Sequence, residues 1–309
     1  MRRTLLAPGA IAVLVTLSAC GKKEPTPPPA APAPAASTDP MEGAPRIAIA
    51  PDGVHVQYHV YGSGEPTLVF IHGWSCDANY WREQVPVFRQ RYTVVTVDLA
   101  GHGGTDGNRA EWTIRNFGQD VVTALSTVPS EQIILVGHSM GGPVALEAAR
   151  KLGKRVVGII GVDTFNSVGA PAPNKAQIEA LLRDFEKDFI GQTRKFVTEH
   201  LFPPGANRDL ANKVAYDMSL SEPRVAIPAL RAVLEYDFTE PLKEVAVPIV
   251  AIDSDLGEPV NEARIRKVLP KFHATIIEGV GHFLMMEDPA RFNTALETEI
   301  QALLHPAGS

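Results

Sequence analysis

Between residues 54 and 277 short apolar runs alternate with longer mixed stretches. Val54-His-Val-Gln-Tyr-His-Val60 has a strict period of two, so Val54, Val56, Tyr58 and Val60 share one face. That pattern predicts an antiparallel strand near a sheet edge. Thr67-Leu-Val-Phe-Ile71, Thr93-Val-Val-Thr-Val97, Gln132-Ile-Ile-Leu-Val136, Val156-Val-Gly-Ile-Ile-Gly-Val162, Val247-Pro-Ile-Val-Ala-Ile252 and Ala274-Thr-Ile-Ile277 are continuous and rich in β-branched residues. Such runs predict parallel strands buried on both faces. Helical periodicity lies between them, as in residues 112–126, 140–151 and 261–268, and predicts an α/β sheet covered by helices on both faces. Between Val162 and Val247 no strand pattern occurs. There, residues 176–202 and 208–234 read as amphipathic helices, predicting a helical cap over about 164–240 inserted after the sixth strand.

The chain's first 45 residues follow another pattern. Residues 1–19 open with Arg2 and Arg3, continue through an apolar stretch centred on Ile11-Ala-Val-Leu-Val-Thr-Leu17, and end in Leu17-Ser-Ala-Cys20-Gly. The apolar part is short for a bilayer span and has the layout of a secretory signal. Its end resembles the lipobox of bacterial lipoproteins. The resemblance implies that Cys20 is lipidated and becomes the first mature residue, and that Gly21 permits sorting to an outer membrane where the cell has one. Residues 22–45 hold eight prolines and almost nothing large and apolar, so burial cannot offset their ordering entropy. They read as a spacer between the anchor and a domain over 46–309.

With 29 Lys+Arg, dispersed along the chain, against 35 Asp+Glu, the formal net charge is −6. Nucleic acid is an unsuitable partner, because phosphate binding needs a concentrated positive surface. Cys20 and Cys76 are the two cysteines, which rules out a disulfide framework.

In parallel sheets ligands bind beyond the carboxyl ends of the strands. After the run ending at Val136 comes Gly137-His-Ser139-Met-Gly141, followed by Gly142 and a helix. This is the G-x-S-x-G pattern in which a nucleophilic Ser sits in a tight strand-to-helix turn. A Ser hydroxyl near neutral pH needs a base, itself held by a carboxylate. His282 follows the last strand in Gly279-Val-Gly-His282-Phe-Leu-Met-Met-Glu287-Asp-Pro289, in the chain order Ser, acid, His.

Together with His72-Gly-Trp74 and Asp98-Leu-Ala-Gly-His102-Gly-Gly-Thr-Asp106, these motifs make residues 54–303 resemble an α/β-hydrolase of the esterase, lactonase and haloperoxidase-like group. The resemblance implies an eight-stranded, mostly parallel sheet and a cofactor-free serine hydrolase that cleaves a carboxylic ester or lactone through an acyl-enzyme. It also implies an oxyanion hole from the backbone N–H groups of Trp74 and Met140. Thioesterase, C–C hydrolase and perhydrolase chemistry share the constellation, and a non-catalytic tethered binding module is the rival from another class. The resemblance fails at the acid. Where Gly-x-x-Asp-x-x-x-Pro is expected the chain reads Ile252-Asp253-Ser254-Asp255-Leu-Gly257-Glu258-Pro259. Asp255 is the preferred acid because a loop beyond the strand end can turn it toward His282. Asp253 and Asp163 are the alternatives.

Other features carry plainer readings. His55 and His59 sit on a strand, about 13 Å apart, too far to share a metal, and no metal site is expected. Residues 101–107 lack dinucleotide-loop spacing and read as a pocket wall. Cys76 reads as a small buried residue, and Met285 and Met286 as packing beneath the His282 loop. The expected partners are therefore a small ester-like substrate and, through Cys20, a membrane.

Overall fold

A computed structural model describes residues 41, 43–257 and 260–305. The signal, Cys20 and nearly all of the Pro-rich spacer lie outside these residues. The strands are β1 Arg46–Ile49, β2 His55–Tyr61, β3 Thr67–Ile71, β4 Thr93–Val97, β5 Ile133–His138, β6 Val156–Val162, β7 Ile249–Ser254 and β8 Ala274–Ile277. They form one sheet in the order β1-β2-β4-β3-β5-β6-β7-β8. β1 and β4 both pair with β2 antiparallel, and every other pair is parallel. Seven of the eight strands coincide with the apolar runs. β1 does not, because its exposed Ile47 and Ile49 alternate with Arg46 and Ala48 over too few residues to register as a pattern.

The helices are α1 Val85–Phe88, α2 Ile114–Leu125, α3 Gly141–Leu152, α4 Lys175–Lys187, α5 Phe189–His200, α6 Arg208–Ser219, α7 Pro223–Leu234, α8 Thr239–Glu244, α9 Glu262–Ile265, α10 Leu284–Glu287 and α11 Pro289–Leu304. α2 and α3 pack on one another, and α11 lies against β6, β7 and β8. The fully buried β3 and β5 form the middle of the core. On one side of them Phe70 stacks on Trp81, which in turn meets Phe292 of α11.

The cap is α4 to α8, inserted between β6 and β7. Each of its two long helical stretches is broken once. Asp188 ends α4 with extended φ and accepts a hydrogen bond from Gly191 N–H, so it both stops one helix and caps the next. Leu220, Ser221 and Glu222 separate α6 from α7, which opens with Pro223 at its first position. Thr113, by accepting from Asn116 N–H, starts α2 two residues after Trp112.

Candidate active site

The turn after β5 forces Ser139 into the left-handed region, φ 51°, at a cost a non-glycine residue bears only where the surroundings impose it. Gly137 and Gly141 make the turn possible: a side chain on Gly137 would run into the Gly141 carbonyl, and one on Gly141 into that of Ile71. The elbow is also tied across to β6. Ser139 N–H donates to Val162 O at 3.0 Å, and the Thr164 hydroxyl donates to Ser139 O at 2.6 Å. Those two bonds reach the residues on either side of Asp163, so elbow and Asp163 are held as one unit.

Asp163 is itself left-handed, φ 49°, which swings its carboxylate out of the strand direction. Its Oδ2 lies 2.6 Å from His282 Nδ1, while Oδ1 accepts from both the backbone N–H and the hydroxyl of Ser254 at 3.0 Å. Burial alone would raise its pKa, but the bond and charge of His282 and the two Ser254 donors carry it below the ordinary carboxylate range. Side-chain exposures of 16% for His282 and 13% for Asp163 keep the pair largely out of water.

His282 is fixed through its backbone. Its N–H donates to Leu201 O at 2.9 Å, and its carbonyl accepts from His138 Nε2 at 2.8 Å. His138, the residue before Ser139, is kept neutral by burial and by the neighbouring imidazole of His282, its pKa pushed down to about 3. A proton on Nε2 then suits the carbonyl, and His138 acts as a strut between elbow and base.

The loop after β3 presses on the same elbow. A Cβ on Gly73 would stand 3.2 Å from Ser139 Cβ, so glycine permits this approach. The loop's shape is set by two buried histidines. His72 Nε2 accepts from Leu99 N–H at 3.0 Å and its Nδ1 faces Gly73 O at 2.8 Å. His102 Nε2 accepts from Ser75 N–H, leaving Nδ1 to face Ala100 O. Burial followed by the nearby His72 pushes His102 down to about 3, which keeps it neutral. Trp74 is buried, its indole N–H donating to Ala226 O of α7 at 2.6 Å and its ring meeting Phe185 and Phe189 edge-on. Met140 caps α3, where the first helical N–H groups lack partners within the helix.

The structure therefore brings Ser139, His282, Trp74 and Met140 to one place and gives His282 a carboxylate other than the one favoured from sequence. Asp255 is exposed and its Oδ1 accepts from Gly279 N–H at 2.8 Å, tying two loops together. β7 runs on to Ser254, two residues past the apolar run, so Asp255 is too near the strand end for a loop to turn it back toward His282. Asp253 is fully buried near the end of β7, with the backbone N–H groups of Asp163 and Thr164 its nearest donors, and the carboxylate on His282 Nδ1 is that of Asp163. Sequence reasoning also missed His138, Thr164 and Ser254. The first lies inside the elbow motif and the last between the two competing acids.

Elsewhere His55 pairs with Asp106 at 3.0 Å, Cys76 is buried with its thiol toward Trp74 O, and Met285 is fully buried. Among the described residues there is no cluster of three or more His, Cys, Asp or Glu side chains placed to hold a metal.

Comparison with known proteins agrees with this architecture. Residues 68–295 match the alpha/beta hydrolase family. An uncharacterized protein of Mycobacterium tuberculosis is 28% identical over 79% of this chain and 78% of its own. A 3-oxoadipate enol-lactonase of Acinetobacter baylyi is 24% identical over 79% of this chain and 92% of its own. Among solved structures, a bromoperoxidase from Bacillus anthracis superposes with a TM-score of 0.74 at 21% identity, covering 84% of this chain and 100% of its own. An esterase from Thermogutta terrifontis gives 0.74 at 19% identity, over 84% and 99%. These last two likenesses concern the fold. With the family match spanning most of the chain, the protein belongs to the alpha/beta hydrolase family.

Proposed function

We propose that the protein is a serine hydrolase that cleaves a carboxylic ester or lactone through an acyl-enzyme. The observation that supports this most is the 2.6 Å bond between His282 Nδ1 and Asp163 Oδ2 beside a left-handed Ser139. In this reading Ser139 Oγ attacks the substrate carbonyl carbon as its proton passes to His282 Nε2. Asp163 holds the tautomer with Nδ1 protonated and stabilises the imidazolium. The oxygen that gains charge is met by the backbone N–H groups of Trp74 and Met140. The imidazolium then protonates the leaving oxygen as the tetrahedral intermediate collapses. Water enters by the same sequence, with His282 again the base, and releases the acid. No step calls for a metal or an organic cofactor.

The test is labelling by a fluorophosphonate together with turnover of p-nitrophenyl esters and a panel of lactones. Wild type is expected to label and Ser139→Ala not to. Asp163→Asn is expected to lower kcat by about a thousandfold or more, as loss of the orienting acid does in such triads, while Asp255→Asn stays within about threefold of wild type. Absence of labelling in folded wild type defeats the reading. Loss of turnover in Asp255→Asn with Asp163→Asn intact reverses the choice of acid.

A further inference from the structure

A cavity of about 350 Å³ opens between the loops after β3 and β4 and the α6–α7 junction of the cap. Two of its wall residues lead toward the proposed catalytic residues. Ser75 in its wall follows Trp74 directly, and Tyr80 meets the ring of Phe283 at 5.7 Å, next in sequence to His282. Its chemistry differs from the apolar packing around Trp74. Ser75 is 5% exposed, is held at φ 55°, and its hydroxyl has no hydrogen-bond partner among the described residues. Tyr80, also 5% exposed, has no well-formed partner for its hydroxyl there, only the weak neighbouring thiol of Cys76. Leaving two buried hydroxyls unmatched is costly unless something that enters the cavity meets them.

The charges in the wall are of one sign. Asp77, Asp217 and Glu222 line the cavity and no Lys or Arg does, although Arg224 pairs with Glu222 from beside it; His102 is held neutral. Asp217 gives Oδ2 to Lys213, and its Oδ1 is without a partner among the described residues. An anionic group would meet the charge of Asp77, unpaired among the described residues, and the open oxygen of Asp217 and be repelled. A methyl group would leave the hydroxyls unmatched. A primary ammonium carries three N–H donors and a positive charge, and three acceptors stand ready: Ser75 Oγ, Tyr80 Oη and Asp217 Oδ1.

We propose that this cavity is a subsite for an ammonium group on the substrate, making the enzyme selective for amino-bearing esters. The proposal rests on the serine hydrolase reading and adds a substrate class to it. It is tested with three p-nitrophenyl esters of equal chain length that end in an ammonium, a methyl or a carboxylate group, and a fourth that ends in a hydroxyl. The quantity read is the ratio of kcat/KM between pairs, so that a general loss of activity or fold cancels. Wild type is expected to favour the ammonium ester over the methyl ester by about tenfold or more, with the carboxylate ester slowest. Asp217→Asn is expected to bring the first ratio down by about tenfold, and Ser75→Ala by a smaller factor. Equal rates on the ammonium and methyl esters, a preference for the hydroxyl ester, or a ratio untouched by Asp217→Asn overturns the subsite. If Ser139 still labels with fluorophosphonate in that case, the hydrolase reading stands and only the subsite falls. No labelling at all removes both.

Discussion

Asp253 is a carboxylic acid shut inside a sheet, one strand over from Asp163. Burial and then the charge of Asp163 push its pKa up to about 7. In the unfolded chain the same group ionises near 4. Its folded value is the higher one, so its contribution to stability is fully present below about pH 4 and is lost as pH rises through about 7. Asp253→Asn removes the ionisable group with little change of shape. The variant is expected to melt close to wild type at pH 4 and several degrees above it at pH 8, read by calorimetry across that range. A gain that does not grow with pH defeats the argument. His102 and His138 act in the opposite sense. Their folded values lie below that of a free imidazole, so the unfolded chain takes up protons first and stability falls as pH drops from about 6.5 toward about 3. Ser139 and His282 were legible in the sequence because their motifs encode a turn and a chain order. The choice among Asp163, Asp253 and Asp255 was not. It depends on a single left-handed residue and on two donors from Ser254, neither of which leaves a spacing to read.

At the scale of elements, α2 and α3 approach closely at one small residue. A Cβ on Gly118 would stand 2.6 Å from Glu147 Cβ and 3.1 Å from Ala148 N. Alanine in a helix interior is favoured over glycine by about 1 kcal/mol, which by itself argues that Gly118→Ala should stabilise. Forcing two packed helices apart costs about 1–3 kcal/mol, and here the neighbour's Cβ cannot swing away. A lower melting temperature for Gly118→Ala is therefore expected by thermal denaturation, and an increase would show that the helices give way freely. The sequence placed these helices well because each carries an apolar stripe, and α2 a side-chain cap at Thr113 as well. It read α4 with α5, and α6 with α7, as two long helices instead of four. The breaks at Asp188 and at residues 220–222 interrupt the backbone without interrupting the apolar periodicity.

On the scale of the whole molecule, the chain combines an N-terminal segment that resembles a lipoprotein signal and spacer with a hydrolase domain. We propose that Cys20 anchors the exported protein to the cell envelope. Expressed in a bacterium with lipoprotein processing, the full-length protein is expected to enter the detergent phase of a Triton X-114 extraction, and Cys20→Ser to move to the aqueous phase. Detergent partition unchanged by Cys20→Ser would remove the anchor. Within the domain, core and cap are joined by polar ties. Arg150 of α3 grips Glu244 of α8 with two hydrogen bonds, and the Tyr236 hydroxyl donates to the buried Glu147 at 2.9 Å. Arg224 of α7 reaches Gly107 O across the cleft. The bond from the Trp74 indole to Ala226 O is of another kind, since it joins the cap to the loop that presses on the Ser139 elbow. Indole emission follows the polarity and hydrogen bonding around the ring. The protein thus carries a fluorophore of its own at the contact between cap and core, and with Trp81 and Trp112 replaced by Phe its emission would report any change there without an attached dye.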